Sequence, residues 1–190
     1  AGHHNGRMRV IAGSFRSRVL VAPKGRATRP TSDRLRETLF NIIAARVAGC
    51  RFVDLYAGTG AVGIEALSRG AEHVWLAENA VPALAAIRQK LAALKIERGF
   101  TLEERGVGAL LGRLSGPVNL VYLEPPYEAE AEYSRTMDFL GSVRGQRVLA
   151  PGALVIAEHS SKIQLASRYG GLEHQRVVKQ GDAALSFFVR

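Results

Sequence analysis

The stretch Phe52-Val53-Asp54-Leu55-Tyr56-Ala57-Gly58-Thr59-Gly60-Ala61-Val62-Gly63 constrains the fold more than any other part of the chain. An apolar strand-like run passes through a glycine turn into a helix-forming segment. Gly58 and Gly60 allow the backbone to approach a ligand without a Cβ in the way, and Gly63 allows a helix to lie close on a strand. Strand, turn and helix form the opening unit of a doubly wound sheet. The alternation then continues. Strand-like runs occur at Phe52 to Tyr56, His73 to Glu78, Val118 to Glu124 and Ala153 to His159, with a weaker one at Phe100 to Glu104. Helical runs at Ala61 to Arg69, Val81 to Leu94, Val107 to Leu114 and Glu130 to Leu149 lie between them. That order predicts an α/β fold with a mostly parallel sheet covered on both faces. Near the end, Gln175 to Lys179 and Ala184 to Val189 flank Gly181-Asp182 without a helix, so they should pair as an antiparallel hairpin.

Upstream, Met8 to Gly13 and Ser17 to Ala22 read as a β-hairpin extension, followed by a loop over Pro23 to Pro30. A helix is predicted from near Thr31, capped by a hydroxyl, with Asp33 in its first turn. Leu35, Leu39, Ile42, Ile43 and Val47 recur at helical spacing, and Gly49 closes the helix. The expected division is therefore a basic hairpin and loop over 1–30 and a catalytic domain over 31–190. Residues 1–7 precede Met8 and read either as a tag-like leader or as a natural extension, and His3 and His4 carry no metal reading.

Charge is unevenly placed. Residues 1–36 hold nine basic side chains against Asp33 alone, which supplies eight of the nine net positive charges. Such a block suits a polyanion held through its phosphates. The alternative is a solvated basic arm. Arg16, Arg18, Lys24, Arg26, Arg29, Thr31 and Arg34 are the candidate nucleic-acid residues. The single cysteine, Cys50, excludes an internal disulfide and a cysteine-based metal site. No apolar run is long enough to span a bilayer, and no signal-peptide pattern is present. A cytoplasmic monomer with no membrane partner is expected. His73, His159 and His174 lack metal-ligand spacing and read as structural or surface residues.

The pattern G-x-G-x-x-G alone suits a dinucleotide equally well. Asp54 shifts that balance, because a carboxylate just before the glycines repels a pyrophosphate and favours a cationic ligand. S-adenosylmethionine carries a sulfonium and an ammonium. Glu78, at the end of the second strand, can accept hydrogen bonds from both ribose hydroxyls. The candidate cofactor residues are Asp54, Tyr56, Ala57, Gly58, Thr59, Gly60, Glu78 and Asn79.

Val118 to Leu123 ends in Glu124-Pro125-Pro126-Tyr127. The prolines lack amide hydrogens and leave their carbonyls open as acceptors. Tyr127 offers a face on which a base can stack. An exocyclic amine is a poor nucleophile, because its lone pair is delocalised into the ring. A side-chain oxygen and a main-chain carbonyl that accept its two N–H groups would hold it and favour a pyramidal nitrogen. Glu124, Pro125, Pro126 and Tyr127 are the candidate catalytic residues.

Taken together, these segments resemble the bacterial 16S ribosomal RNA guanine-N2-methyltransferases that modify guanine 966. Arg29-Pro30-Thr31-Ser32-Asp33-Arg34-Leu35-Arg36-Glu37-Thr38-Leu39-Phe40-Asn41 is similar to their N-terminal signature. Asp54 to Gly70 is similar to their cofactor motif. Pro151-Gly152-Ala153 to Glu158-His159-Ser160, with Gly181-Asp182 and Ser186-Phe187-Phe188, is similar to their ending. The resemblance runs from about Met8 to the C-terminus. It implies a seven-stranded class I methyltransferase sheet whose last strand is antiparallel, and S-adenosylmethionine as methyl donor. It also implies 16S rRNA as substrate, within the small subunit or its assembly intermediate. Two positions depart from the family pattern. Glu124 stands where the family usually has Asp or Asn. Gly108 stands where an acidic residue commonly contacts adenine, which leaves adenine to main-chain groups or another side chain.

Three further readings use the same residues. A DNA adenine-N6 or cytosine-N4 methyltransferase shares the chemistry, but the chain has little sequence left for a DNA-reading domain. A nicotinamide-dependent oxidoreductase fits the glycines but not Asp54 or the Glu-Pro-Pro-Tyr segment. A catalytically impaired RNA-binding relative would have Glu124 as its lesion.

Overall fold

The computed structural model describes residues 7–14, 19–21, 32–126 and 130–190. The first pair of strands is β1 (Arg7–Arg9) and β2 (Val19–Val21), joined antiparallel with Met8 opposite Leu20. The first strand is shorter than the sequence suggests. Ile11 and Ala12 leave it because their amides donate to the Glu65 carboxylate at 2.7 and 3.0 Å.

Helix α1 (Asp33–Val47) is capped by Ser32, whose hydroxyl accepts the Leu35 amide at 3.1 Å. Thr31, near which the helix was predicted to begin, lies outside the described residues. Leu35, Leu39, Phe40, Ile43 and Val47 form its buried stripe. Gly49, at φ 75°, follows the helix in the left-handed region that favours glycine. The order then runs β3 (Arg51–Asp54), α2 (Ala61–Ser68), β4 (His73–Ala77), α3 (Val81–Ala93), β5 (Phe100–Glu103), α4 (Val107–Arg113) and β6 (Val118–Leu123). It ends with α5 (Glu130–Gly141), α6 (Val143–Val148), β7 (Leu149–Ser160), β8 (Arg168–Tyr169), β9 (Leu172–Gln180) and β10 (Ala183–Val189).

The main sheet has the order β5-β4-β3-β6-β7-β10-β9-β8. Strands β3 to β7 are parallel, and β10 inserts antiparallel between β7 and β9. Two expectations need correction. The sheet has eight strands instead of seven, because Arg168–Tyr169 adds a short edge strand beside β9. The helix expected over Glu130 to Leu149 is two helices. Ser142 caps the second one by accepting the Gly145 amide at 3.2 Å. Gly141 packs so closely on the Tyr169 carbonyl that a Cβ there would collide with it. The break lets α5 stop against the β8–β9 turn.

Strand alternation divides the core. Phe52, Leu120, Tyr122, Leu154 and Ile156 face the side covered by α1, α2 and α3. Val53, Leu55, Val121, Leu123 and Val155 face α4, α5 and α6. Helix α2 lies close on β4 at Gly63, where a Cβ would meet Leu76 Cδ2 at 2.6 Å. Cys50 is buried in the first cluster, and burial pushes its thiol up to about 11. No described helix is long and apolar enough to cross a membrane.

Candidate functional site

The chain reverses its winding direction between β3 and β6, where a doubly wound sheet opens a crevice at its carboxyl edge. A cavity of about 1120 Å³ lies there. Register accounts for its polar wall. Asp54, Tyr122 and Ile156 are cross-strand partners on β3, β6 and β7. Two residues beyond the last two, on the same face, stand Glu124 and Glu158. Glu78 occupies the corresponding place two residues past Leu76, the partner of Asp54 on β4. Four strand ends thus bring Asp54, Glu78, Glu124 and Glu158 into one cavity.

Asp54 is buried at the root of the turn, and its Oδ2 accepts the Gly63 amide at 3.2 Å. Its Oδ1 is buried without a hydrogen bond among the described residues. Burial pushes the carboxyl up to about 7, with Glu78 and Glu158 adding to the shift. The Gly63 and Tyr56 amides oppose it. Glu78 supports the turn directly: Oε1 accepts the Gly58 amide at 2.8 Å, and Oε2 accepts those of Asn79 and Ala80 at 2.9 Å.

Tyr56, Ala57, Gly58, Thr59 and Asn79 line the cavity. Gly60 does not. It takes φ 80° as the cap of α2, and a Cβ on it would press on Ile87 and Ile64 at 3.1 and 3.2 Å. Gly60 therefore shapes the turn and its packing from behind the wall. The Tyr56 hydroxyl donates to Glu132 at 3.0 Å and lies 2.8 Å from the Thr136 hydroxyl, which ties the turn to α5.

Sequence reading missed Lys90. It occupies the buried stripe of α3, and its Nζ donates to the Thr59 carbonyl at 2.5 Å. Burial, then the neighbouring Arg36, lowers its amine to about 7. A lysine three residues after buried Ile87 was the available signal.

Past β6, Glu124, Pro125 and Pro126 line the cavity, with Pro125 buried and Pro126 exposed. Tyr127 lies outside the described residues. The Tyr122 hydroxyl lies 2.6 Å from Glu158 Oε1 and 3.4 Å from Glu124 Oε2. The Tyr133 hydroxyl donates to the Glu158 carbonyl at 2.7 Å. Glu158 was read only as part of a terminal motif, because its partners come from other strands.

At the other end, Asn79, Arg105, Gly106, Val107 and Gly108 line the wall. Open space surrounds Gly108 where a Cβ would stand. The nearby acid, Glu103, is buried and engaged by Arg105 and Arg113, each at 3.0 Å.

Of the candidate nucleic-acid residues, Arg16, Arg18, Lys24, Arg26, Arg29 and Thr31 lie outside the described residues. Arg34 is exposed on α1. Arg36, counted in the basic block, is not on the surface. It is 1% exposed and lies against Asp33 at 3.1 Å and Glu65 at 3.8 Å. His159 is buried, with Nε2 2.7 Å from the Ser186 hydroxyl, and burial lowers its pKa. No group of three potential metal ligands occurs among the described residues.

The family model described as conserved hypothetical protein 95 matches residues 8–189. Over 185 residues the chain is 31% identical to a Bacillus subtilis protein named "Putative rRNA methyltransferase YlbH", covering 95% of this chain and 98% of that one. It is 30% identical over 156 residues to ribosomal RNA small subunit methyltransferase D of Haemophilus influenzae, covering 80% and 79% of the two chains. Among solved structures, the Escherichia coli protein described as "Putative methyltransferase yhhF" superposes with a TM-score of 0.84 at 31% identity, covering 97% of this chain and 98% of that one. With the fold and nearly the whole length matched, the chain belongs to the family described as conserved hypothetical protein 95, alongside relatives that bear the names of ribosomal RNA methyltransferases.

Proposed function

We propose that this chain is an S-adenosylmethionine-dependent methyltransferase that modifies the exocyclic N2 amine of a guanine in 16S ribosomal RNA. The carrying observation is the meeting of Asp54 and Glu78 with Glu124-Pro125-Pro126 in one cavity. Four carboxylates in one cleft repel a pyrophosphate and suit a ligand bearing positive charge. The Asp54 Oδ1 atom, buried without a hydrogen bond, fits a cationic partner. The relatives' names supply the RNA class, and the basic block at 7–34 supplies the matching charge.

When bound, S-adenosylmethionine supplies an electrophilic methyl group on sulfur. The protein's own part is to hold and to align. Asp54 and Glu78 hold the cofactor's cationic and ribose ends. A guanine leaves its stack to enter the cleft. Its two amine N–H groups donate hydrogen bonds to the Glu124 carboxylate and the Pro125 carbonyl. Alignment with the methyl group contributes roughly 7–11 kcal/mol. Tyr127 stacks on the base. The methylated nitrogen carries positive charge and sheds a proton readily, so the reaction requires no dedicated base.

The test is methyl transfer from labelled S-adenosylmethionine to small subunits lacking base methylation, with free rRNA and duplex DNA alongside. Label recovered as N2-methylguanosine supports the proposal. Label only in DNA replaces it with DNA methylation.

Asp54 adds a pH dependence. Below about pH 7 its carboxyl is protonated and neutral; above that it is charged. Holding the ammonium of the ligand's amino-acid end expels that proton, so S-adenosylhomocysteine affinity should rise between about pH 6 and pH 8. Calorimetry should show the rise flattened in Asp54→Asn. An identical slope in the variant would remove Asp54 from cofactor binding. The same carboxyl bears on stability. Its folded pKa lies above the unfolded value, so ionisation between about pH 4 and pH 7 weakens the free protein.

Neutralising Arg26 and Arg29 together should weaken RNA binding and reduce the salt slope by about 2. An unchanged slope would take both residues out of the RNA contact.

A further inference from the structure

The Tyr122 hydroxyl belongs to neither the cofactor contacts nor the amine contacts above, yet it stands between two carboxylates of the site. It is 2.6 Å from Glu158 Oε1 and 3.4 Å from Glu124 Oε2. We propose that Tyr122, anchored by Glu158, is a positioning residue that sets the Glu124 carboxylate at the place of amine capture. This inference rests on the reading of Glu124 as the amine's acceptor.

The phenol has one proton for two carboxylates. The short contact is of the charge-assisted kind and fixes the hydroxyl on Glu158. Tyr122 and Glu158 are 1% and 6% exposed, so the low-dielectric surroundings strengthen their bond. The Glu158 main chain is held as well, by the Tyr133 hydroxyl at 2.7 Å. Two tyrosines, one on β6 and one on α5, thus immobilise the end of β7. The fixed phenol oxygen then limits where Glu124 can lie.

Side-chain length explains why such a stop is useful. Glu124 has one more rotatable bond than an aspartate would have at the same place. Left unrestrained, that bond would spread the carboxylate over several rotamers. Tyr122 lies two residues earlier on the same strand face and meets the added reach from below.

The test is a cycle of Tyr122→Phe with Glu124→Ala, with Glu158→Ala as a second way to release the phenol. Tyr122→Phe should lower single-turnover methyl transfer to small subunits roughly tenfold and leave S-adenosylhomocysteine affinity within about twofold. In the Glu124→Ala background the same change should cost less than about twofold. Glu158→Ala frees the phenol's proton for Glu124, so it should also lower transfer, by drawing the carboxylate onto Tyr122. A crystal structure of Tyr122→Phe should show Glu124 displaced from its position. Additive losses in the cycle, or an unmoved Glu124 in the variant crystal, would overturn the proposal. Wild-type protein inactive on small subunits would sink the rRNA reading, and the Glu124 position in the crystal would still decide this one.

Discussion

Replacing Glu124 with alanine should lower turnover on small subunits by roughly 100- to 1,000-fold while S-adenosylhomocysteine affinity stays within about threefold. The reason is where charge appears. The free amine is close to neutral, and positive charge develops on its nitrogen only as the methyl group arrives. An acceptor held beside that nitrogen stabilises the transition state more than the bound substrate. Glu124 is suited to this work by its place at the end of β6, two residues beyond the register partner of Asp54. Proline follows on both of the next positions, so the backbone there has little freedom. Single-turnover kinetics and cofactor calorimetry on one preparation separate the two effects. Equal loss of turnover and of cofactor affinity would make Glu124 part of the cofactor pocket instead.

Glu65→Ala should destabilise the fold by about 3–5 kcal/mol without touching the cavity. Glu65 is fully buried on α2 and serves four donors. Its carboxylate accepts the Ile11 and Ala12 amides at 2.7 and 3.0 Å and Arg69 Nε at 2.9 Å, and faces Arg36 Nε at 3.8 Å. Arg36 is itself 1% exposed. Without Glu65 the guanidinium would lose a buried counter-charge, while its ion pair with Asp33, whose side chain is 64% exposed, is well screened. Removing a buried counter-charge is costly, as is leaving two amides without their acceptor. With a slope of about 2 kcal/mol/M, the urea midpoint should fall by about 1.5–2.5 M. Glu65→Gln, which keeps an acceptor but loses the charge, should fall between the two. A shift under about 1 kcal/mol would mean that water takes over the carboxylate's role.

The parallel strands and their helices were legible in the sequence because each carries its own signal. Phe52-Val53 and Leu120 to Leu123 are apolar runs, as strands buried on both faces must carry. The glycine turn that opens α2 was legible for the same local reason. What the sequence hid depends on partners distant along the chain. Tyr122 and Glu158 are 36 residues apart and meet only through the register of β6 with β7. Glu65 read as a helix residue near the glycine turn, and its role comes from amides 53 and 54 positions away. The break between α5 and α6 had a local signal in Gly141-Ser142, but the close approach of Gly141 to the Tyr169 carbonyl depends on a strand far along the chain. Arg36 looked like one more surface arginine because charge counting cannot tell which side of a helix faces inward.

The grip of α2 on residues 11–14 has an evolutionary consequence. Glu65 takes two amides, the Ser68 hydroxyl donates to the Ala12 carbonyl at 2.5 Å, and the Ser68 carbonyl accepts the Ser14 amide at 3.0 Å. These contacts are made with main-chain atoms of residues 11–14, and they demand glycine at 13, where φ is 84° and a Cβ would collide with the Ser68 carbonyl oxygen. A lineage is therefore free to vary the side chains at 11, 12 and 14, whose main-chain atoms make the contacts, while the single position without a side chain holds the first residues against α2.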